Sequence, residues 1–76
     1  MKFSMKKVTV LLADGFEEIE ALTVVDLLRR AKVYVDTVSI TDDYTVRGAH
    51  GIPVQTEDLI TEIDFKESDM IVLPGG

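Results

Sequence analysis

Val8-Thr9-Val10-Leu11-Leu12-Ala13-Asp14-Gly15 is the stretch whose reading decides the fold. A short, nearly continuous apolar run with β-branched residues is the pattern of a parallel strand covered on both faces. Asp14-Gly15 then punctuates it as a turn. From about Glu17 the period changes. Ala21, Val24, Val25, Leu28 and Ala31 recur at helical spacing, while Glu18, Asp26, Arg29 and Arg30 fall mostly elsewhere. Acids in the first turn and Arg29-Arg30 in the last complement the helix dipole. Asp14 with Glu17 has the spacing of a capping-box-like pair. Val33 to Ile40 alternates and is β-branched, so it reads as a second strand. Strand, helix and strand in that order form a βαβ unit with a right-handed crossover.

Working outward, Thr41-Asp42-Asp43 is a polar turn. Tyr44 to Val46 and Ile52 to Gln55 read as short strands around Gly48 and Gly51, an edge hairpin in which Pro53 is tolerated. Thr56 to Lys66 offers Asp58 or Thr61 as caps for one or two helical turns. Asp69-Met70-Ile71-Val72-Leu73 is then another buried parallel strand, and it runs into Pro74-Gly75-Gly76. A strand entering such a loop is how an α/β fold opens its ligand-binding rim. With no helix after the loop, residues 1–76 are expected to be the front portion of one larger α/β domain.

Size supports that expectation. A domain of about 60 residues buries only about 60% of the surface its unfolded chain exposes, so small folds need added support. The chain has no cysteine for a disulfide and one histidine, His50, so neither a metal cage nor a cofactor is expected. The support left is another polypeptide, a copy or a missing second half. The 46% hydrophobic and 29% charged composition is that of a globular protein, and the net charge of −6 argues against nucleic acid. The basic start Met1 to Lys7 meets Asp14 too soon to form a signal sequence. Met5 is a possible second start. No segment approaches the ~20 apolar residues of a membrane span. A cytoplasmic location is the expectation.

In an open parallel sheet, ligands bind beyond the carboxyl ends of the strands where the connections change side. Two segments leave strands in that direction: Asp14 to Glu20, and Pro74-Gly75-Gly76. If their strands are neighbours, acids and glycine amides share one crevice. One of Glu17, Glu18 and Glu20, withdrawn from water beside like charges, would hold its proton and move it when needed. The plainer reading is that acids favour helix N-termini. Ile19 between Glu18 and Glu20 sends those two acids to different sides, so at most one belongs to any pocket. Gly75 and Gly76 offer either N–H groups for an oxyanion or a turn of unusual φ. His50 is either a ligand contact or a surface residue.

Together, VTVLLA followed by DGFEEIE, VVDLLRRA at the helix end, RGAHGIPV and DMIVLPGG resemble the ThiJ/PfpI family, known also through the parkinsonism-associated protein deglycase. The resemblance runs from about Lys7 to Gly76. It implies a flavodoxin-like sandwich related to class I glutamine amidotransferases, commonly dimeric. In such proteins a reactive cysteine stands on a strained elbow further along the chain, and a protonated glutamate from the first loop hydrogen-bonds its thiolate. By position in DGFEEIE that glutamate is Glu20. Glu17 and Glu18 would sit near the dimer interface and rim, Gly75 and Gly76 would line the anion side, and His50 would lie near the interface. Lys32 replaces the glycine usual after the RRA stretch, which alters the helix C-cap.

The expected function is therefore a cysteine-dependent site acting on small reactive carbonyls such as methylglyoxal, of glyoxalase or deglycase type. It would be inactive without the half that carries the thiol. The alternatives are a non-enzymatic redox-sensing or chaperone-like relative, and a flavodoxin-like binding module.

Overall fold

The computed structural model describes residues 6–76; the proposed second start at Met5 lies outside them. β1 (Lys7–Leu12) leads through a turn to α1 (Glu18–Arg30) and back into β2 (Tyr34–Ser39). β3 (Thr45–Arg47) and β4 (Pro53–Gln55) follow, then the two-residue β5 (Asp58–Leu59), two 3-10 turns at Ile60–Glu62 and Phe65–Glu67, and β6 (Met70–Val72). β5, β2, β1 and β6 lie side by side in that order, each neighbouring pair parallel. The expected α/β class with a mainly parallel sheet is what the chain forms.

β1 carries the core. Side chains alternate across a strand, so Val8, Val10 and Leu12 face α1 and meet Ala21 and Val25, with Val35, Phe16 and Val46 completing the cluster. The other face of the sheet takes Thr9, Asp36 and Val38, all buried. That face is covered by the crossover from β5 to β6, which passes over β2 and β1 and bonds Ser68 Oγ to Thr9 Oγ1. β2 is therefore buried almost continuously, not alternately as its sequence suggested. A strand between two covered faces has no solvent side to alternate with.

Several local expectations are corrected. Asp14 and Glu17 form no capping pair: Asp14 accepts from the Arg47 N–H at 3.1 Å, and Glu17 occupies the N-cap position without a side-chain bond. Neither Asp58 nor Thr61 caps a helix. Asp58 is in β5, and the cap belongs to Asp64, which accepts from Lys66 N–H at 3.0 Å. The turn before it is closed by Glu62, which accepts from Leu59 N–H and from the Tyr44 hydroxyl. β6 pairs in parallel as expected but is not buried; Met70 is 58% exposed, and Ile71 and Leu73 are also open.

The end of α1 shows what Lys32 does. Its N–H donates to the Arg29 carbonyl and that of Val33 to the Leu28 carbonyl, both at 3.0 Å, with Lys32 at φ +66°. This is the pair of reversed bonds that closes a helix through a left-handed residue. Lysine occupies a conformation that glycine takes without steric cost.

Candidate active site

The rim forms where β1 and β6 end together. From β1 one connection runs through α1 to β2 on one face of the sheet; the route onward to β6 crosses the other face. The gap between β1 and β6 is thus the point where the connections change side, the place an open parallel sheet binds ligands. A depression of about 230 Å³ lies there, lined by Ala13, Gly15, Phe16, Leu73, Pro74 and Gly75 among others.

Two hydrogen bonds, one between backbones and one to a side chain, draw the predicted segments together. Glu17 N–H donates to the Gly75 carbonyl at 2.6 Å, and Gly75 N–H reaches Glu20 Oε1 at 3.3 Å. A Cβ on Gly75 would stand 3.0 Å from that same oxygen. Gly76 is held tighter still, since a side chain there would meet the Gly15 carbonyl and the Phe16 Cα. The structure thus brings Glu17, Glu20, Gly75 and Gly76 to one rim. Glu20 is exposed on α1 with its carboxylate directed at the loop after β6.

Glu18 goes elsewhere. It is 4% exposed and lies on the buried stripe of α1 with Ala21 and Val25, where the sequence had placed it among the polar positions. Its Oε2 accepts from His50 N–H at 2.8 Å and from Ile52 N–H at 3.4 Å, while Oε1 meets His50 Nδ1 at 2.8 Å. The His50 hydrogen bond, helped by the backbone donors against the penalty of burial, lowers the Glu18 carboxyl to about 2. The same bond raises the His50 imidazole, and the charges of Glu18 and Glu17 add to it. Gly48 makes room: a Cβ there would occupy the space of the Glu18 carboxylate. Sequence reasoning missed this clasp, although the spacing Glu18, Ala21, Val25 and Leu28 already put the acid on the apolar stripe.

The clasp docks the β3–β4 hairpin on the rim. Gly15 N–H donates to Arg47 O at 2.7 Å, Ala49 N–H donates to Phe16 O at 2.8 Å, and Phe16 bridges Gly48. Ligand atoms of Glu17, Glu18 and His50 lie within 4.8 Å of one another. Both Glu18 oxygens already accept hydrogen bonds, one of them from His50 Nδ1, so Glu18 and His50 are satisfied as a hydrogen-bonded pair, while Glu17 makes no side-chain cap bond. Glu18 and His50 are therefore separated from the Glu20–Gly75 contact, as the opposite directions of Glu18 and Glu20 foretold.

A parallel α/β domain whose rim is built from an acidic loop after the first strand and a Pro-Gly-Gly loop after its neighbour defines a flavodoxin-like class of protein. Within that class the chain belongs to the DJ-1/PfpI family, whose model matches residues 6–76. It is 37% identical over 76 residues to protein DJ-1 homolog B of Arabidopsis thaliana, covering 100% of this chain and 17% of that protein. It is 35% identical over 72 residues to a deglycase of Thermococcus kodakarensis, covering 92% of this chain and 42% of that one. The structure superposes on oxidized Toxoplasma gondii DJ-1 with a TM-score of 0.89 at 39% identity, over 93% of this chain and 39% of the other. The chain spans less than half the length of these relatives.

Proposed function

We propose that this chain supplies the N-terminal half of a cysteine-dependent site acting on small reactive carbonyls, of glyoxalase or deglycase type. Its nucleophile would come from the remainder of the domain, which these 76 residues do not include. The observation that carries the reading is the junction of Glu17, Glu20 and Gly75 at the point where the connections change side. Glu20 is the proton-handling acid in this reading, and the Gly75-Gly76 loop steadies the substrate oxygen with backbone N–H groups, that of Gly75 exchanging its 3.3 Å bond to Glu20 for the substrate. A thiolate is the attacking group such chemistry needs, and the chain has no cysteine.

Where the completing segment would bind is suggested by β6. Its outer edge has no strand beside it among the described residues, and Met70, Ile71 and Leu73 are open. A strand added along that edge would cover both the backbone groups and the apolar side chains. Assembly of the completed domain as a homodimer, and residence in a reducing compartment such as the cytosol where a free thiol persists, belong to the same reading.

The test is a methylglyoxal consumption assay joined to intact mass spectrometry of the purified protein. These 76 residues alone should consume none, and an active preparation should have a mass that includes the remainder of the domain with its cysteine. In that preparation Glu20→Gln should lower turnover by about 10²–10⁴-fold, the range of a lost proton-transfer group. Turnover by the chain alone would overturn the proposal. An active assembly indifferent to Glu20→Gln would overturn the role of that residue.

A further inference from the structure

Asp36 stands in the middle of β2 and is 3% exposed. No cation forms an ion pair with it among the described residues. Arg29 donates to the Val35 carbonyl and pairs with Glu57. The Lys7 ammonium lies over the Tyr34 ring, 5.6 Å from its centroid. The group that the sheet sets beside the Asp36 carboxyl is a second carboxyl, that of Asp58 on β5. The register explains the encounter. Asp58 lies opposite Val38, two residues beyond Asp36 and on the same side of the strand.

Two carboxyl groups hydrogen-bond only if one of them keeps its proton. The charged groups that face Asp36 are Asp58 on β5, Glu57 just before it and Lys7 on β1. The crossover packs on the same face through the neutral Ser68. Burial first, then Asp58 and Glu57, push the Asp36 carboxyl up to about 7, with Lys7 opposing.

We propose that Asp36 and Asp58 form a proton-held latch that fastens the edge strand β5 to β2 and opens when the shared proton is lost. β5 is built for release, because it pairs with β2 through only Asp58 and Leu59 and sits at the sheet edge. The turn Ile60–Glu62 follows it directly and begins the crossover that covers Thr9 and Val38. Just before the latch, Glu57 N–H donates to the Thr37 carbonyl at 3.0 Å and Thr56 N–H to the Tyr44 carbonyl at 2.8 Å. Those bonds do not depend on the proton, so opening is confined to the segment after Glu57.

The direction is opposite to that of an ordinary salt-bridged carboxylate. The folded chain holds a proton that the unfolded chain releases near 3.8, so the latch weakens as pH rises from there through about 7. Hydrogen exchange of the full chain, followed by mass spectrometry from about pH 5.5 to about pH 8.5 and corrected for intrinsic rates, reads this out. Above the midpoint, protection of residues 58–62 should fall by about tenfold per pH unit until local opening is complete, while β1 keeps its protection. Asp58→Asn should hold β5 at both ends of the range, because an amide donates to the Asp36 carboxylate without needing a proton; Asp36→Asn should behave alike. Protection that is independent of pH in the wild type overturns the latch. So does the wild-type loss persisting in both variants. Absence of protection in β1 and β5 at every pH overturns it as well, since the burial on which it rests would not exist.

Discussion

The two faces of the parallel sheet are finished with different materials. Against α1 the contact is apolar, with Val8, Val10, Leu12, Ala21, Val25 and Val35 packed on one another. Under the crossover the sheet offers Thr9 and Asp36 beside Val38, and these are met by Ser68 and Asp58. The first face depends on volume and shape, which vary little with solution conditions. The second depends on hydrogen bonds and protons, which respond to pH. Beyond both faces, the β6 edge exposes Met70, Ile71 and Leu73. The difference shows which surfaces this chain covers by itself and which are open to another strand.

The sharpest way to break the comparison is to make cavities on either side of it. Leu12→Ala, at a fully buried position of the α1 face, should cost about 2–5 kcal/mol, read as a shift in the urea unfolding midpoint. Leu73→Ala, at a side chain 74% exposed, is the contrasting control. If the two cost the same, the distinction between a finished face and an open edge fails.

Next in size is the glycine beneath the clasp. Gly48→Ala puts a methyl where the Glu18 carboxylate lies, and it should cost about 1–3 kcal/mol by forced repacking. It should also lower protection of the 48–52 loop in hydrogen exchange. An unchanged midpoint would mean that Glu18 does not need that space.

A smaller effect separates the clasp from the latch by its pH sign. Glu18 ionises in the folded chain well below its ordinary 4.5, so its contribution is present above that value and lost as pH falls toward about 2. His50 is shifted upward, so its contribution is present below its ordinary 6.5 and lost as pH rises through the raised folded value. Glu18→Gln should flatten the acid limb of a stability–pH profile. His50→Ala should remove the fall that His50 contributes at higher pH while leaving the Asp36 contribution in place. A profile in which Glu18→Gln leaves the acid limb untouched would remove the clasp from the electrostatic account.

At the small end, Lys32→Gly should stabilise the chain by about 0.5–1 kcal/mol, because lysine pays a steric cost at φ +66° that glycine does not, partly offset by the greater freedom of glycine when unfolded. A thermal midpoint that falls instead would show that the lysine side chain makes a contact worth more than the backbone relief. Leu73→Ala should lie below about 0.5 kcal/mol in the chain alone.

Much of the frame was legible from residue order. β1, α1 and β2 follow from a change of hydrophobic period at Glu17, and the helix ends match their acidic and basic residues. The hairpin around Gly48 and Gly51 and the parallel strand before Pro74 were read correctly as elements. The helical caps at Asp58 and Thr61 failed because β5 uses Asp58 to extend the sheet, a long-range pairing that overrides local propensity. The exposure of β6 was not visible in its apolar run. A strand of Met, Ile and Val reads as buried whether or not anything lies beside it.

By itself the order of residues determined the alternation of strand and helix, the chemistry available at the rim and the absence of a thiol, since each depends on residue type and local spacing alone. Only the tertiary structure decided that Glu18 belongs to the hairpin while Glu20 reaches Gly75, and that Asp36 faces Asp58. Those partners lie far apart along the chain; the docking of the hairpin and of the loop after β6 against α1, and the register of β5 on β2, bring them together, not local propensity.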